Sequence, residues 1–309
     1  MNRPRVPTKI VFAAIIVLVF AGSYVARRQI ERAEARATRS LGGATRIVSM
    51  APSITETLYA LGLGDRVVGV TRYCNYPAET ENKARVGGYL DPNFEAVVAL
   101  DPDLVVMLVE HEQSLPGFDK LGLNTLVVRH KDVTGILESF PAIGRRCGRE
   151  AEAQRMVADI ETRIERIRRK TAGLARPRVM FTIERTAGGG SIEDVYIAGA
   201  DGFFDKIIDL AGGQNAYRQD MVRFPVVSHE GILRMNPQVI VDMTPGLSAG
   251  RVAKETILAD WQQLGQVEAV KNHRVHLMDH DYAFVPGPRF ILLVEELARL
   301  IHPEVDWES

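Results

Sequence analysis

The sequence predicts an α/β protein of two similar lobes joined by a single long backbone α-helix. Three observations lead there. From residue 45 onward, short apolar strands alternate with helical segments. One stretch, 149–172, breaks that rhythm with an uninterrupted amphipathic helix. Finally, "NFEAVVALDPDLVVM" at 93–107 returns as "SHEGILRMNPQVIVD" at 228–242, once on each side of that helix. Each copy has a polar starter, a Glu two residues on, a Pro seven residues after the Glu, and then a β-branched run. Glu95 and Glu230 therefore hold the same place in what reads as one structural unit used twice.

Length and composition set the bounds. A chain of 309 residues suits two domains. A charged fraction of 25% with 46% apolar residues belongs to a folded chain rather than a disordered one. The net charge of −1 is unevenly spread, because residues 1–40 hold eight Lys or Arg against two Glu. The remainder is acidic and has no basic stripe, which argues against a nucleic-acid partner.

The first element is the apolar run at 10–26, preceded by Arg3, Arg5 and Lys9. It reads as a signal peptide or N-terminal membrane anchor over residues 1–26 and is set apart from the fold. Its length is long for a signal core and at the short limit for a spanning helix. Cleavage after Ala26 would place Tyr24 at a position that wants a small residue, and no Cys follows the run to carry a lipid. An uncleaved anchor is favoured, with the rest of the chain periplasmic or at the cell surface. Residues 27–44 read as a polar tether.

The N-terminal α/β lobe is expected over 45–148. "TRIVSM" is a strand, and "SITETLYALGLG" is a helix in which Ser53 and Glu56 have the spacing of a capping box. A strand at 66–71 and helix–strand pairs at 93–108 and 115–129 follow. Interleaving of this kind predicts a parallel or mixed sheet covered on both faces. The bridging helix is expected over 149–173, with Ala153, Met156, Val157, Ile160, Ile164 and Ile167 at helical spacing. The C-terminal α/β lobe is expected over 174–309: a strand at 178–184, a helix at 201–213, the second copy of the repeat, and a closing helix at 286–301. Cys74 and Cys147 fall in different elements and read as separate thiols, although an exported chain can join such a pair.

The chemistry-bearing patterns point away from catalysis. There is no Walker loop, no nucleophile elbow and no HExxH. "GGG" at 188–190 lacks the context of a dinucleotide loop, and the seven His are scattered without metal-site spacing. His276 and His280 are four apart, but in a strand-like run that spacing separates them. No acid, base or metal constellation converges, so no enzyme, cofactor or metal site is expected. The loops at strand ends say more. Tyr73, Tyr76, Tyr89, Phe224, Tyr282 and Phe284 sit on loops framed by Pro and Gly. In α/β sheets, loops at the carboxyl ends of strands line the binding crevice, and aromatics there grip a flat or bulky ligand. Tyr76, next to Pro77, also reads as simple loop packing. Arg72, Arg185 and Arg223 lie on nearby loops and would suit an anionic ligand, though each is equally a solvated loop charge.

Taken in order, "RIVSMAPSITETLYALGLGDRVVGVTRYCNYP", "VGGYLDPNFEAVVALDPDLVV", "VSHEGILRMNPQVIV" and "VPGPRF" cover residues 45–302. This run resembles the substrate-binding proteins of ABC importers for cobalamin and ferric complexes, the Fe/cobalamin periplasmic-binding family. The resemblance implies a class III periplasmic binding protein fold: two Rossmann-like lobes bridged by one helix that flexes little, with the ligand in the cleft between them. By position it implies that Tyr73, Tyr89, Phe224, Asp281 and Tyr282 line that cleft. The sequence departs from the family where cobalamin-binding relatives favour Trp, since Tyr89, Leu108 and Phe224 stand there instead. Trp261 and Trp307 lie outside the cleft motifs.

The ligand stays open within the resemblance. Cobalamin or a related corrinoid comes first. A ferric siderophore, or haem with Tyr89 or His111 on the iron, comes next. A membrane-tethered sensor or accessory protein using the same fold is a further alternative. The resemblance also implies that Glu95 and Glu230 dock each lobe onto arginines of an ABC permease dimer, which works with its ATPase. A first-turn Glu behind Asn93 or Ser228 as N-cap is also favourable simply beside the helix dipole.

Overall fold

The computed structural model describes residues 43–200, 202–219, 222–245, 247 and 253–308. The apolar run at 10–26 and nearly all of the tether lie outside the described residues. Among the described residues, no helix is long and apolar enough to cross a membrane.

The first lobe is built on five parallel strands: β1 (Ile47–Ser49), β2 (Val67–Val70), β3 (Ala84–Arg85), β4 (Leu104–Leu108) and β5 (Thr125–Val128). Their order is β3-β2-β1-β4-β5. All five residues of β4, Leu-Val-Val-Met-Leu, are buried, as expected of a parallel strand covered on both faces. The helices are α1 (Pro52–Ala60), α2 (Phe94–Ala99), α3 (Leu115–Lys120) and α4 (Val133–Cys147).

The expected capping box in α1 does not form. Ala51 is the N-cap, Pro52 occupies the first turn, and no side chain caps the helix. Proline suits that position because its missing N–H would have no partner there anyway. Ser53 and Glu56 are thereby free to bond elsewhere. Helix α4 was not anticipated from the sequence. Asp132 caps its start by accepting from the Gly135 backbone N–H at 2.8 Å, and Gly148, at φ 66°, closes its end. Pro141 and two glycines inside it mask its helical pattern.

The bridging helix, α5, spans Glu150–Thr171 and buries Ala153, Ile160, Ile164 and Ile167, while Met156 and Val157 are half-buried. The second lobe carries β6 (Arg178–Glu184), β7 (Val195–Ile197), α6 (Phe203–Leu210), β8 (Gln214–Asn215), β9 (Val226–Val227), α7 (His229–Met235) and β10 (Val239–Met243). It continues with α8 (Lys254–Trp261), α9 (Glu268–Lys271), β11 (Val275–Met278) and α10 (Phe290–Ile301). The strand order is β11-β10-β6-β7-β9, with β8 paired to β6. This sheet is mixed, because β7 runs antiparallel to both β6 and β9.

The two lobes correspond strand for strand around the repeat. In the first, β4 lies between the opening strand β1 and the later β5; in the second, β10 lies between β6 and β11. Helices α2 and α7, which lead into β4 and β10, start alike. Asn93 accepts from the Ala96 N–H at 3.0 Å, and Ser228 accepts from the Gly231 N–H at 3.3 Å. They also stop alike. Asp101 and Asn236 each adopt φ 44°, immediately before Pro102 and Pro237. Asn and Asp are among the few side-chain-bearing residues that tolerate this left-handed turn, and Pro cannot continue a helix.

A continuous apolar cluster runs through both lobes. It joins Ile47, Leu58 and Phe140 to Ile160 and Ile164 of α5, and onward to Phe181, Ile207 and Leu293. Arg163 of α5 adds two hydrogen bonds to Glu295 of α10, at 2.9 and 2.7 Å. Cys74 and Cys147 are separate, fully buried thiols.

Candidate functional site

In the first sheet the strand order reverses between β1 and β4, and in open α/β sheets ligands bind outside the carboxyl ends of the strands at such a point. A pocket of about 320 Å³ opens there. Pro52 and Ser53 follow β1, Tyr73 follows β2, Tyr89 follows β3, and Leu108 ends β4. The opposite wall belongs to the second lobe: Phe284, Val285 and Pro286, in the loop after β11. The pocket thus lies between the lobes, and among the described residues no charged one stands in its wall. The lobes touch closely beside it, since a Cβ on Gly287 would sit 3.2 Å from the Ser53 Cα.

Tyr73 and Phe284 expose about half of their surface, 54% and 40%. Apolar area left open to this extent in a cleft is available to a ligand. Tyr89 is half-buried and packs edge-on against His111, with ring centroids 4.9 Å apart. Burial, and secondarily the charge of Glu110, pushes the Tyr89 hydroxyl up to about 12, so it stays protonated at neutral pH. His111 is buried; its Nδ1 accepts from the Leu108 N–H at 3.0 Å, and burial lowers its proton affinity.

The other expected ligand residues fall at differing distances from the pocket. Phe224 is exposed and does not line the pocket; the Phe204 ring lies 6.3 Å from it and 6.4 Å from Phe284. Arg72 lies beside Tyr73 on the rim and is paired with Asp91 at 2.9 Å. Arg223 is exposed near Gly202. Asp281 and Tyr282 are held away from the pocket wall. Asp281 accepts two hydrogen bonds from Arg289, at 2.9 and 2.8 Å. The Tyr282 hydroxyl donates to Glu296 at 2.7 Å, and its ring stacks on His280. It is Phe284, two residues on, that enters the wall.

Arg185, expected on a loop near the cleft, lies elsewhere. It is not a cleft cation: its side chain is 2% exposed and is pinned between Asp242 and Asp260, at 2.7 and 2.8 Å. Asp242 also accepts from Trp261 Nε1 at 2.8 Å and from the Thr182 hydroxyl at 2.8 Å. The buried carboxylates need the guanidinium, so this arginine serves the packing of the second lobe.

Two polar features at the cleft had no clear signal in the sequence. Glu56, read as half of a capping box, is buried and takes two hydrogen bonds from Arg289 of the other lobe, at 2.9 and 2.6 Å. The same guanidinium lies 3.8 Å from the centre of the Tyr76 ring, so Tyr76 packs the loop rather than the ligand pocket. Ser53, the other half of that box, bonds the buried His130 ring at 2.8 Å. Only the adjacency of "PS" to the end of β1 could have marked Ser53 as a cleft residue.

Glu95 and Glu230 are exposed in the first turns of α2 and α7. Glu230 is held below the ordinary carboxylate range by its own backbone N–H and then by the Ser228 hydroxyl, 2.9 Å away.

With this geometry in view, the sequence profile described as "Periplasmic binding protein" matches residues 47–282. The chain belongs to that family. Similar proteins include the "Uncharacterized ABC transporter substrate-binding lipoprotein YvrC" of Bacillus subtilis. It is 32% identical over 267 residues, which cover 84% of this chain and 80% of the relative. The "Vitamin B12-binding protein" of Vibrio cholerae is 27% identical over 257 residues, 82% of this chain and 88% of the relative. Among solved structures, the periplasmic vitamin B12 binding protein BtuF of Vibrio cholerae superposes with a TM-score of 0.70 at 25% identity, covering 84% of this chain and 98% of BtuF. The fold is thus that of a class III periplasmic binding protein, and the chain is an ABC transporter substrate-binding protein. Proteins of this family are non-enzymatic carriers that deliver a bound solute to a permease and its ATPase.

Proposed function

We propose that this periplasmic binding protein captures cobalamin or a related corrinoid between its lobes and hands it to an ABC permease. In this reading residues 45–148 and 174–309 are the two jaws and 149–173 the bridge. One observation carries it: the cleft pocket is walled by three aromatic rings, four aliphatic or proline side chains beyond them, and one serine, and among the described residues none in the wall is charged. A corrinoid is broad and flat, is covered with neutral amides, and needs apolar contact more than charge. An anionic ferric chelate needs cations facing it. The likeness to vitamin B12-binding proteins supports the same choice.

A second reading rests on the Tyr89–His111 pair, a phenol in the cleft wall with a buried imidazole packed against it, groups that ligate haem iron. Titration calorimetry of the purified protein with cyanocobalamin, haemin and a ferric chelate separates the two. Submicromolar binding of cyanocobalamin is expected. Heat from haemin or the chelate alone would overturn the corrinoid reading.

Glu95 and Glu230 are proposed as the permease contacts, one per lobe at equivalent sites, matching a permease with two-fold symmetry. The apolar run at 10–26 is proposed to anchor the protein uncleaved. N-terminal sequencing of protein extracted from membranes should then begin upstream of residue 10.

A further inference from the structure

We propose that Ser53 is a specificity-determining residue of the cleft, offering the cargo a hydrogen-bond acceptor and no donor. The inference deepens the reading above and rests on the cleft being the ligand site.

The protons along a buried chain of three side chains, Ser139, His130 and Ser53, have fixed places. The Ser139 hydroxyl lies 2.6 Å from the Ile136 carbonyl oxygen. A carbonyl has no proton to give, so the Ser139 proton must lie between these two oxygens. With that proton spent, Ser139 can only accept from the His130 ring nitrogen 2.8 Å away. His130 is 4% exposed, and burial, with no charged neighbour to offset it, holds the ring neutral by pushing it down to about 4. A neutral imidazole carries a single ring proton, and it is committed to Ser139. The nitrogen facing Ser53, also at 2.8 Å, is therefore a bare lone pair.

Ser53 must donate its own proton to that lone pair. What remains on its oxygen is acceptor capacity, at a residue that stands in the pocket wall. An aromatic pocket selects for shape and is tolerant of polarity at its edges. One fixed acceptor adds a chemical demand: the cargo must bring an N–H or O–H to that spot. A primary amide meets the demand. A carboxylate at the same place repels the serine oxygen and leaves its own charge unpaired.

Two measurements on the full-length protein test this. Heteronuclear NMR of the histidine ring nitrogens should show His130 neutral at pH 7, with its proton fixed on one nitrogen and lost from that position in Ser139→Ala. An imidazolium, or a ring proton on the nitrogen facing Ser53, would overturn the proposal. Calorimetry should then compare cyanocobalamin with derivatives in which one peripheral amide has been hydrolysed to a carboxylate. The wild type should bind at least one derivative tenfold or more weakly than the parent. Ser53→Ala should bind the parent about five- to tenfold more weakly, the worth of one neutral hydrogen bond, and should lose that discrimination. Unchanged affinity and unchanged discrimination in Ser53→Ala would overturn the proposal. Failure of the wild type to bind cyanocobalamin, with the His130 proton found as stated, would remove the corrinoid reading and leave the acceptor standing.

Discussion

Arg289 meets Glu56 with two hydrogen bonds, 2.9 Å from Nε and 2.6 Å from Nη2, joining residues 233 positions apart. The pair is a clasp between the lobes. It lies beside the ligand pocket, which Ser53, three residues before Glu56, and Pro286, three before Arg289, help to wall. The Glu56 side chain is 3% exposed and that of Arg289 is 14% exposed.

Removing one partner leaves the other buried and unpaired, which costs far more than the pair itself is worth. Arg289→Met should lower unfolding free energy by about 3–5 kcal/mol. The double variant Glu56→Leu with Arg289→Met should recover most of that loss. Urea unfolding of the three proteins reads both effects. Equal stability of wild type and Arg289→Met would mean that the clasp contributes nothing.

The aromatic walls should behave as anchors. Tyr89→Ala and Phe284→Ala, from opposite lobes, should each weaken cyanocobalamin binding by about 1–3 kcal/mol. Phe224→Ala should do less, because Phe224 is not among the residues that line the pocket. Calorimetry giving wild-type affinity for both Tyr89→Ala and Phe284→Ala would place the ligand elsewhere.

Charge reversal at the lobe tips separates delivery from capture. Glu95→Arg combined with Glu230→Arg should abolish ligand-stimulated ATPase activity of the reconstituted transporter, while calorimetric affinity for the ligand stays unchanged. Intact stimulation would remove these residues from the interface.

His130 makes stability depend on pH. Burial lowers its folded value from 6.5 to about 4, so as pH falls the unfolded chain takes up a proton before the folded one does. The histidine's contribution is fully present above 6.5 and is lost as pH drops from there through about 4, amounting to about 3 kcal/mol. His130→Gln should flatten this part of the stability–pH curve. An unchanged slope in the variant would assign it to other groups.

Much of this architecture could be read from local sequence because it is written in local rules. The bridging helix has its own periodicity. The α2 and α7 starts have N-caps, and their ends carry Asp-Pro and Asn-Pro. What escaped was set by contacts across the chain. Ser53 and Glu56 have the spacing of a capping box, yet Pro52 starts the helix. That released both side chains to partners 77 and 233 residues away. Arg185 looked like a loop cation because nothing nearby in sequence announces Asp242 or Asp260. Tyr282 and Phe284 are two apart on one short turn, and only the packing of α10 decides which of them faces the pocket. Helix α4 was lost to an internal proline and two glycines that its packing tolerates.

The apolar cluster that threads both lobes has a consequence for how such a carrier changes its cargo over evolutionary time. With bridge and jaws sharing one interior, the width of the cleft is set by the scaffold and is not renegotiated for each visitor. New preferences must then arise by resurfacing: exchanging exposed side chains such as Tyr73 at the loop tips, where substitutions disturb the shared interior least. A designer who wants a different cargo should leave the hinge alone and repaint the walls.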